Sequence, residues 1–567
     1  MKRVIAGVML ATLAGGAYAQ RLTESVTVEG KYTPEIIPAD RLALLPATVV
    51  LNAPESNMAY DRKGVAAAFS PDALNMPATG WQAKKIYDTS KGYVGFRLGS
   101  WLNSSLSAGF NAISERDTRL NVYLQHNSTS LWQAWKQDPE KGTPAADKRL
   151  RFDETIGADL THKLSGLGSV DAAVRYHIGY FNYYGTSSGP KIEDGMVKAP
   201  TQTLNDVYAR VGWTGEGTDR LVYSAIADVR HFAYRAAYVP MFTAEYPRQY
   251  AKTKGERETS INVGGNVKYS LSDGSGNKSS LGATLRYSGV INSIGNDVNR
   301  AELIPSYSIT GKTYNLRIGA NLAVVGNGES TRFRVAPDVS FSVRKGILAF
   351  NAAIGGGTLL RTLAWMHTMD YYSNPGAGCY RAAYSPIDAK IAFQVNPGGK
   401  WTCGIEGEWR TTLDESFGGL YQALLNDDLV AYGSYPESGR IHGFSIAVNA
   451  GYEFCKYFSL KGRGAWQPQH GRTGFLNGFD RPVVTADLAA VSSPIEKLSI
   501  TLAYSLRAKR LLLPGNISRL NLLGEYRITE RLSVGAELNN LLNRHEEILP
   551  DLPLEGFNAA CGIQITF

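Results

Sequence analysis

The chain has 567 residues, a mean hydropathy of −0.19 and a formal charge of +8, with 31 Tyr, 59 Gly and only four Cys. Beyond its first residues it has no apolar run long enough for a membrane helix, which excludes a helical membrane protein. The basic residues form no cluster, so the charge is read as a solvated surface and excludes a nucleic-acid partner.

Lys2 and Arg3 precede the apolar stretch Val4 to Leu13, and Ala17-Tyr18-Ala19 follows. A short positive start, a short apolar core and a small-x-small triplet spell a cleavable signal peptide over residues 1–19, cut before Gln20. The apolar run falls short of the ~20 residues a spanning helix needs. No Cys stands at the cut, which argues against a lipoprotein. Residues 20–89 carry Pro34, Pro38, Pro46, Pro54, Pro71 and Pro77 without helical or strand periodicity, so the segment is expected to be extended. Near its start, Glu24-Ser25-Val26-Thr27-Val28-Glu29-Gly30 alternates β-branched residues and is able to add as a strand to a partner sheet; an ordinary extended segment reads the same way.

From about residue 90 the pattern has period two. Leu498, Ile500, Leu502, Tyr504 and Leu506 stand against Ser499, Thr501, Ala503 and Ser505. The same alternation holds over Phe444–Phe454, Tyr314–Val324 and Val170–Tyr180. These stretches run about 11–15 residues, longer than the ~5–6 of soluble sheets. Tyr and Phe gather near their ends, as at a membrane interface. Short and long connections alternate, which fits periplasmic turns and external loops. Short turns are placed at 115–117, 165–168, 215–218, 273–277, 311–312, 345–346, 396–399, 455–456, 494–496 and 529–530. Longer loops are placed near 131–150, 184–200, 234–253, 359–383, 413–439, 469–479, 509–515 and 542–554, and short external connections near 102, 293–298 and 326–329. The count is 22 strands over residues 90–567, an all-β, transmembrane antiparallel up-and-down barrel. A lumen of that size is wider than wall side chains can fill and is expected to be blocked.

Chemistry-bearing constellations are sparse. The eight His residues (126, 162, 177, 231, 367, 442, 470 and 545) show no metal or nucleophile spacing, and His177 is expected to hydrogen-bond in the lumen. Asp427-Asp428 reads as a solvated pair, with a cation site as the sharper alternative. Gly355-Gly356-Gly357 has no helix behind it to make a phosphate loop and is read as small residues in a crowded wall. Alternation turns Cys403 outward and Cys455 inward, so no disulfide is expected. Specificity is expected on external loops. Candidate contacts are Trp365, Tyr371, Tyr372, Tyr380 and Arg381, with the Tyr-rich 234–249 beside them; packing of loop on loop explains the same aromatics. Segment 419–431 is read as a short helix capping the barrel. Neither catalysis nor a cofactor is expected.

The C-terminus carries a resemblance. Phe557, Ala559, Cys561, Ile563, Ile565 and Phe567 share one face, and a terminal Phe on an alternating strand resembles the signal read by the barrel-assembly machinery; Phe557, Ile563, Ile565 and Phe567 are its core. Upstream, Glu537-Leu538-Asn539-Asn540-Leu541-Leu542-Asn543-Arg544 resembles the segment closing the last hairpin of TonB-dependent receptors, although His545 and Glu546 stand where that family prefers an aromatic. With the strand count, residues 90–567 resemble that family's barrel. The resemblance makes Glu24, Val26, Thr27 and Val28 a TonB-box-like element. It also implies a plug, yet residues 20–89 are too few and hold no plug motif. The chain therefore looks like a plugless relative of a type associated with Bacteroidota. Two functions follow as expectations: solute transport or uptake across the outer membrane, or a non-transport structural or biogenesis role in an outer-membrane complex. Expected partners are outer-membrane lipid and lipopolysaccharide, the assembly machinery, and TonB or other outer-membrane proteins.

Overall fold

A strand whose side chains alternate between lipid and water has its orientation fixed, because a slip of one residue would exchange the two faces. The computed structural model describes residues 91–132, 148–182, 201–237, 254–271, 278–369, 382–472, 482–510 and 515–567, apart from 216, 219, 294, 398, 427–428, 545 and 550–551. One antiparallel sheet of 23 segments forms, and two of them, Phe458–Trp466 and Gln469–Arg472, run on from one another along Leu429–Cys455. The barrel thus has 22 strands. It closes where Gly92–Gly99 pairs with Asn558–Thr566, so no strand edge remains to be satisfied in lipid. The terminal residue takes part: Lys91 and Gly92 both donate their backbone N–H to the Phe567 carbonyl.

The faces follow the sequence pattern. Ile446, Val448, Tyr452 and Phe454 are exposed to the outside while Ala447 is buried within; Leu502 faces out while Thr501 and Ser505 face in. Phe557, Ile563, Ile565 and Phe567 all lie exposed on the outer face. Aromatics collect at the turn near 456, where the Tyr452 and Phe454 rings are 4.6 Å apart and Phe454 and Phe458 5.3 Å. That is the position of an interfacial girdle. The chain reverses tightly at 115–117, 165–167, 346–347, 456–457, 496–497 and 528–531, each within a residue or two of an expected turn.

One expectation is overturned. Segment 419–431 is not a helix: Trp401–Asn426 and Leu429–Cys455 are strands of 26 and 27 residues, paired out to Asn426↔Leu429. The supposed loop 413–439 is a hairpin carried about 13 residues beyond the ordinary strand length, roughly 40 Å if straight. Its alternation of small and apolar residues suits a strand ladder as well as a helix face, and cross-strand pairing decides. Cys403, Cys455 and Cys561 are free and exposed, Cys455 at its turn. The Asp427-Asp428 tip lies outside the described residues, as do residues 1–90, including Glu24, Val26, Thr27 and Val28.

The closing segment at the last loop has a local physical reason. Asn540 and Asn543 adopt left-handed φ values of 50° and 46°. Asn tolerates that region because its short amide bonds the nearby backbone. Asn540 Nδ2 donates to the carbonyls of Arg544 (3.3 Å) and Glu555 (3.0 Å), and the Phe557 N–H donates to Asn543 Oδ1 at 2.9 Å.

Candidate functional site

The inner face carries most of the charge. Arg230 forks onto Asp206 at 2.7 and 2.8 Å, with Arg175 also 3.5 Å from that carboxylate. Arg317 meets Asp338 at 2.8 Å, Arg507 meets Asp487 at 2.8 Å, and Lys390 bridges toward Glu408 at 3.4 Å. Opposite charges interleave around the wall, which accounts for a basic chain without a basic patch. His177 lies on this face as expected, 2.9 Å from the Thr155 hydroxyl and 3.6 Å from Asp153.

Into this lumen the chain sends one of its own loops. The strand Leu348–Leu360 is interrupted by a bulge at Gly355–Gly357. Gly357 has φ +135°, and a Cβ there would lie 2.7 Å from the Asn321 amide. No other residue fits that conformation without strain. Beyond the bulge, Leu360 packs with Val290, Val298, Ala323, Val325 and Ala382. Arg300 holds the departing backbone by donating to the Thr358 carbonyl at 2.6 Å. The triple glycine is thus a hinge in a crowded wall. Gly357→Val is expected to destabilise the barrel by about 1–3 kcal/mol, read as a lower temperature for the heat-induced shift of the folded band on a gel.

The segment then forms a helix, Leu363–Met369. The Thr362 hydroxyl caps it by accepting from the Trp365 N–H at 3.1 Å, and Glu258 on the facing wall accepts from the Leu363 N–H at 2.6 Å. Arg361 makes two bonds to Glu415, at 2.6 and 2.8 Å, with both side chains almost wholly buried. The Trp365 ring lies 4.3 Å from the Arg361 guanidinium. Of the candidate loop contacts, then, Trp365 is half-buried and packs on this anchor. Tyr371, Tyr372, Tyr380 and Arg381 lie outside the described residues.

At the far end, His367 inserts among Phe181, Phe232 and Tyr234, with ring centroids 5.9, 5.5 and 5.7 Å away. Its Nδ1 shares a 2.7 Å hydrogen bond with the Tyr234 hydroxyl. Burial holds the imidazole well below its ordinary titration range, and the positive charges of Arg151 and Arg230 and the neighbouring His177 push it the same way. His367 is a neutral side chain docked on an aromatic bed. Sequence reasoning placed it on an external loop. The available signal was the apolar spacing of Leu359, Leu360, Leu363, Ala364 and Met366, which is costly on a solvated loop.

Between this helix and the wall lies a cavity of about 570 Å³. It is lined by polar groups from the first five strands, from the strands 517–527 and 532–539, and from the last loop. His177 and His367, far apart in sequence, both border it. No group of three or more His, Cys, Asp or Glu able to hold a metal occurs among the described residues. Above the cavity, Glu546 accepts the Ser518 N–H; burial raises its carboxyl, against the pull of that N–H and of Arg519.

No protein-family model and no curated protein matches this chain. Its fold is shared with solved siderophore receptors and an iron transporter. The siderophore receptor PirA from Acinetobacter baumannii superposes with a TM-score of 0.63 at 10% identity, covering 85% of this chain and 81% of that one. The ferric enterobactin receptor PfeA from Pseudomonas aeruginosa gives 0.63 at 12% identity over 84% and 81%. The FrpB iron transporter from Neisseria meningitidis gives 0.60 at 10% identity over 85% and 82%. What these likenesses establish is the fold, a closed 22-strand antiparallel barrel.

Proposed function

We propose that this chain is an outer-membrane transport barrel that passes a hydrophilic solute through a lumen narrowed by its own infolded loop. The observation that carries this reading is the segment 361–369, held by a buried ion pair across a charge-lined lumen. A barrel with only a structural role has no need of a capped, anchored obstruction beside a polar cavity. The likeness to iron and siderophore receptors supports the same class, without assigning their ligands to this chain. In this reading residues 1–19 export the chain, and Phe557, Ile563, Ile565 and Phe567 direct its assembly. Residues 20–89 take the place of a full plug, and Glu24, Val26, Thr27 and Val28 offer a strand to TonB.

A second reading, a subunit of an outer-membrane complex, draws on one feature: the hairpin of Trp401–Asn426 and Leu429–Cys455 reaches far past the barrel wall. Liposome swelling with the purified chain tests the first reading, with sugar entry expected above protein-free vesicles. Absence of entry, together with near-equimolar recovery of outer-membrane partners from mild-detergent extracts, would replace it with the second.

A further inference from the structure

The cavity beside His367 has a composition that selects a chemical class of solute. Four guanidiniums border it, and each is already matched to a carboxylate. Arg97 lies 2.9 Å from Glu537, Arg149 3.4 Å from Glu555, Arg151 2.5 Å from Asp153, and Arg519 3.4 Å from Glu546. A charged solute entering here would have to displace one member of a pair in a partly desolvated site, and that leaves a partner charge exposed to a poor solvent. Beyond the ion pairs the lining is neutral and hydrogen-bonding, and part of it is engaged within the wall: Asn521 Oδ1 accepts the Asn540 N–H, Asn539 Nδ2 donates to Asn558 Oδ1, Asn558 Nδ2 donates to Glu555, and the Ser104 and Ser128 hydroxyls bond each other. Five asparagines, Asn103, Asn127, Asn521, Asn539 and Asn558, contribute amides from both sides of the barrel seam. Ser104, Ser105, Ser128 and Thr129 add hydroxyls. The Asn103 Oδ1 is buried with no hydrogen-bond partner. Among the described residues no Phe, Tyr or Trp borders the cavity, so flat aromatic solutes find no stacking face there.

We propose that this cavity is a binding site for a neutral, polyhydroxylated solute, with the asparagine amides as its recognition groups. The amide groups not spent on the wall still supply both donors and acceptors, which matches the mixed donor and acceptor character of a sugar hydroxyl. The arginines, each paired with a carboxylate, repel neither pole of the solute. The ion pairs serve specificity by rejection, since an acidic or basic solute of the same size meets groups already neutralised. The site rests on the transport reading only for its role, since equilibrium binding does not require passage.

The test uses three trisaccharides of matched size: neutral maltotriose, acidic trigalacturonate and the basic glucosamine trimer. Binding to the full-length protein in detergent micelles is followed by saturation-transfer NMR. Maltotriose is expected to bind roughly tenfold better than either charged analogue, the ratio that one charge-involving hydrogen bond commonly carries. The double variant Asn127→Leu with Asn521→Leu should lose that binding. Glu537→Gln removes the partner of Arg97 and should shift preference toward trigalacturonate, a gain that a misfolded protein would not show. Equal binding of all three, or preference for a charged one in the unaltered protein, overturns the proposal. So does absence of maltotriose binding in a protein that still passes solutes through vesicles, in which case the transport reading stands. Maltotriose binding without passage supports the site and removes the transport role.

Discussion

Replacing Arg361 with alanine, in a chain that also lacks residues 21–88, is expected to raise single-channel conductance in planar bilayers several-fold over the truncation alone. The truncation comes first so that residues 21–88, proposed above to stand in for a plug, do not mask the effect of the infolded segment. Arg361 and Glu415 are bonded through two guanidinium nitrogens, Nε and Nη2, and both carboxylate oxygens, with both side chains buried. Removing one partner leaves the other charge buried, at a cost of about 3–5 kcal/mol, more than a seven-residue helix recovers by itself. The segment should leave the wall and the pore widen. The effect should also reach the long hairpin. Glu415 sits at the register break between Thr412 and Glu415, beside Asp414 in the left-handed region at φ 53°, which lies 3.5 Å from Arg332 and 3.8 Å from Arg334. That bulge ties hairpin and helix together, so hydrogen exchange should rise in both. The exchanged pair Arg361→Glu with Glu415→Arg should recover part of the closed conductance. Equal conductance in the truncated chain with and without Arg361→Ala would mean that the helix does not narrow the pore.

How much of this was legible in the sequence depends on which interactions decide each element. The barrel wall was legible because period-two alternation is a local signal, and lipid outside with water inside enforces it at every strand. Leu502 against Thr501, or Val448 against Ala447, needs no knowledge of the neighbouring strand. The turns were legible because tight reversals demand particular residues. The lumen was not. Glu415 and Arg361 are 54 positions apart, and Glu258 and Leu363 are 105, so nothing in either neighbourhood announces the pair. The hairpin at 413–439 failed for a related reason. Its residues suit a helix or a strand, and only the ladder formed with the partner strand settles between them. Gly355–Gly357 was correctly read as a crowded stretch of wall, yet its consequence, a chain turned inward, depends on Asn321 and Ser385 across the sheet.

Acid is expected to open the same obstruction, with conductance at pH 5 well above that at pH 8 in the truncated chain. The sign follows from His367. Its docked form is held neutral, its titration lowered by burial first and then by Arg151, His177 and Arg230. The groups facing it include those cations and the Tyr234 hydroxyl, with Glu258 engaged at the helix start. An undocked helix exposes the same imidazole to water, where it titrates near 6.5. The undocked form therefore binds more protons once the pH falls below about 6.5, and docking loses up to about 1.4 kcal/mol for each further unit until the lowered value is reached. Above that window docking is at full strength. His367→Phe keeps the aromatic contacts with Phe181 and Phe232, has nothing to titrate, and should hold the conductance flat from pH 8 to pH 5. A pH response that survives in His367→Phe would move the acid sensitivity to the wall carboxylates, whose protonation acts on the Arg230–Asp206 and Arg361–Glu415 pairs instead.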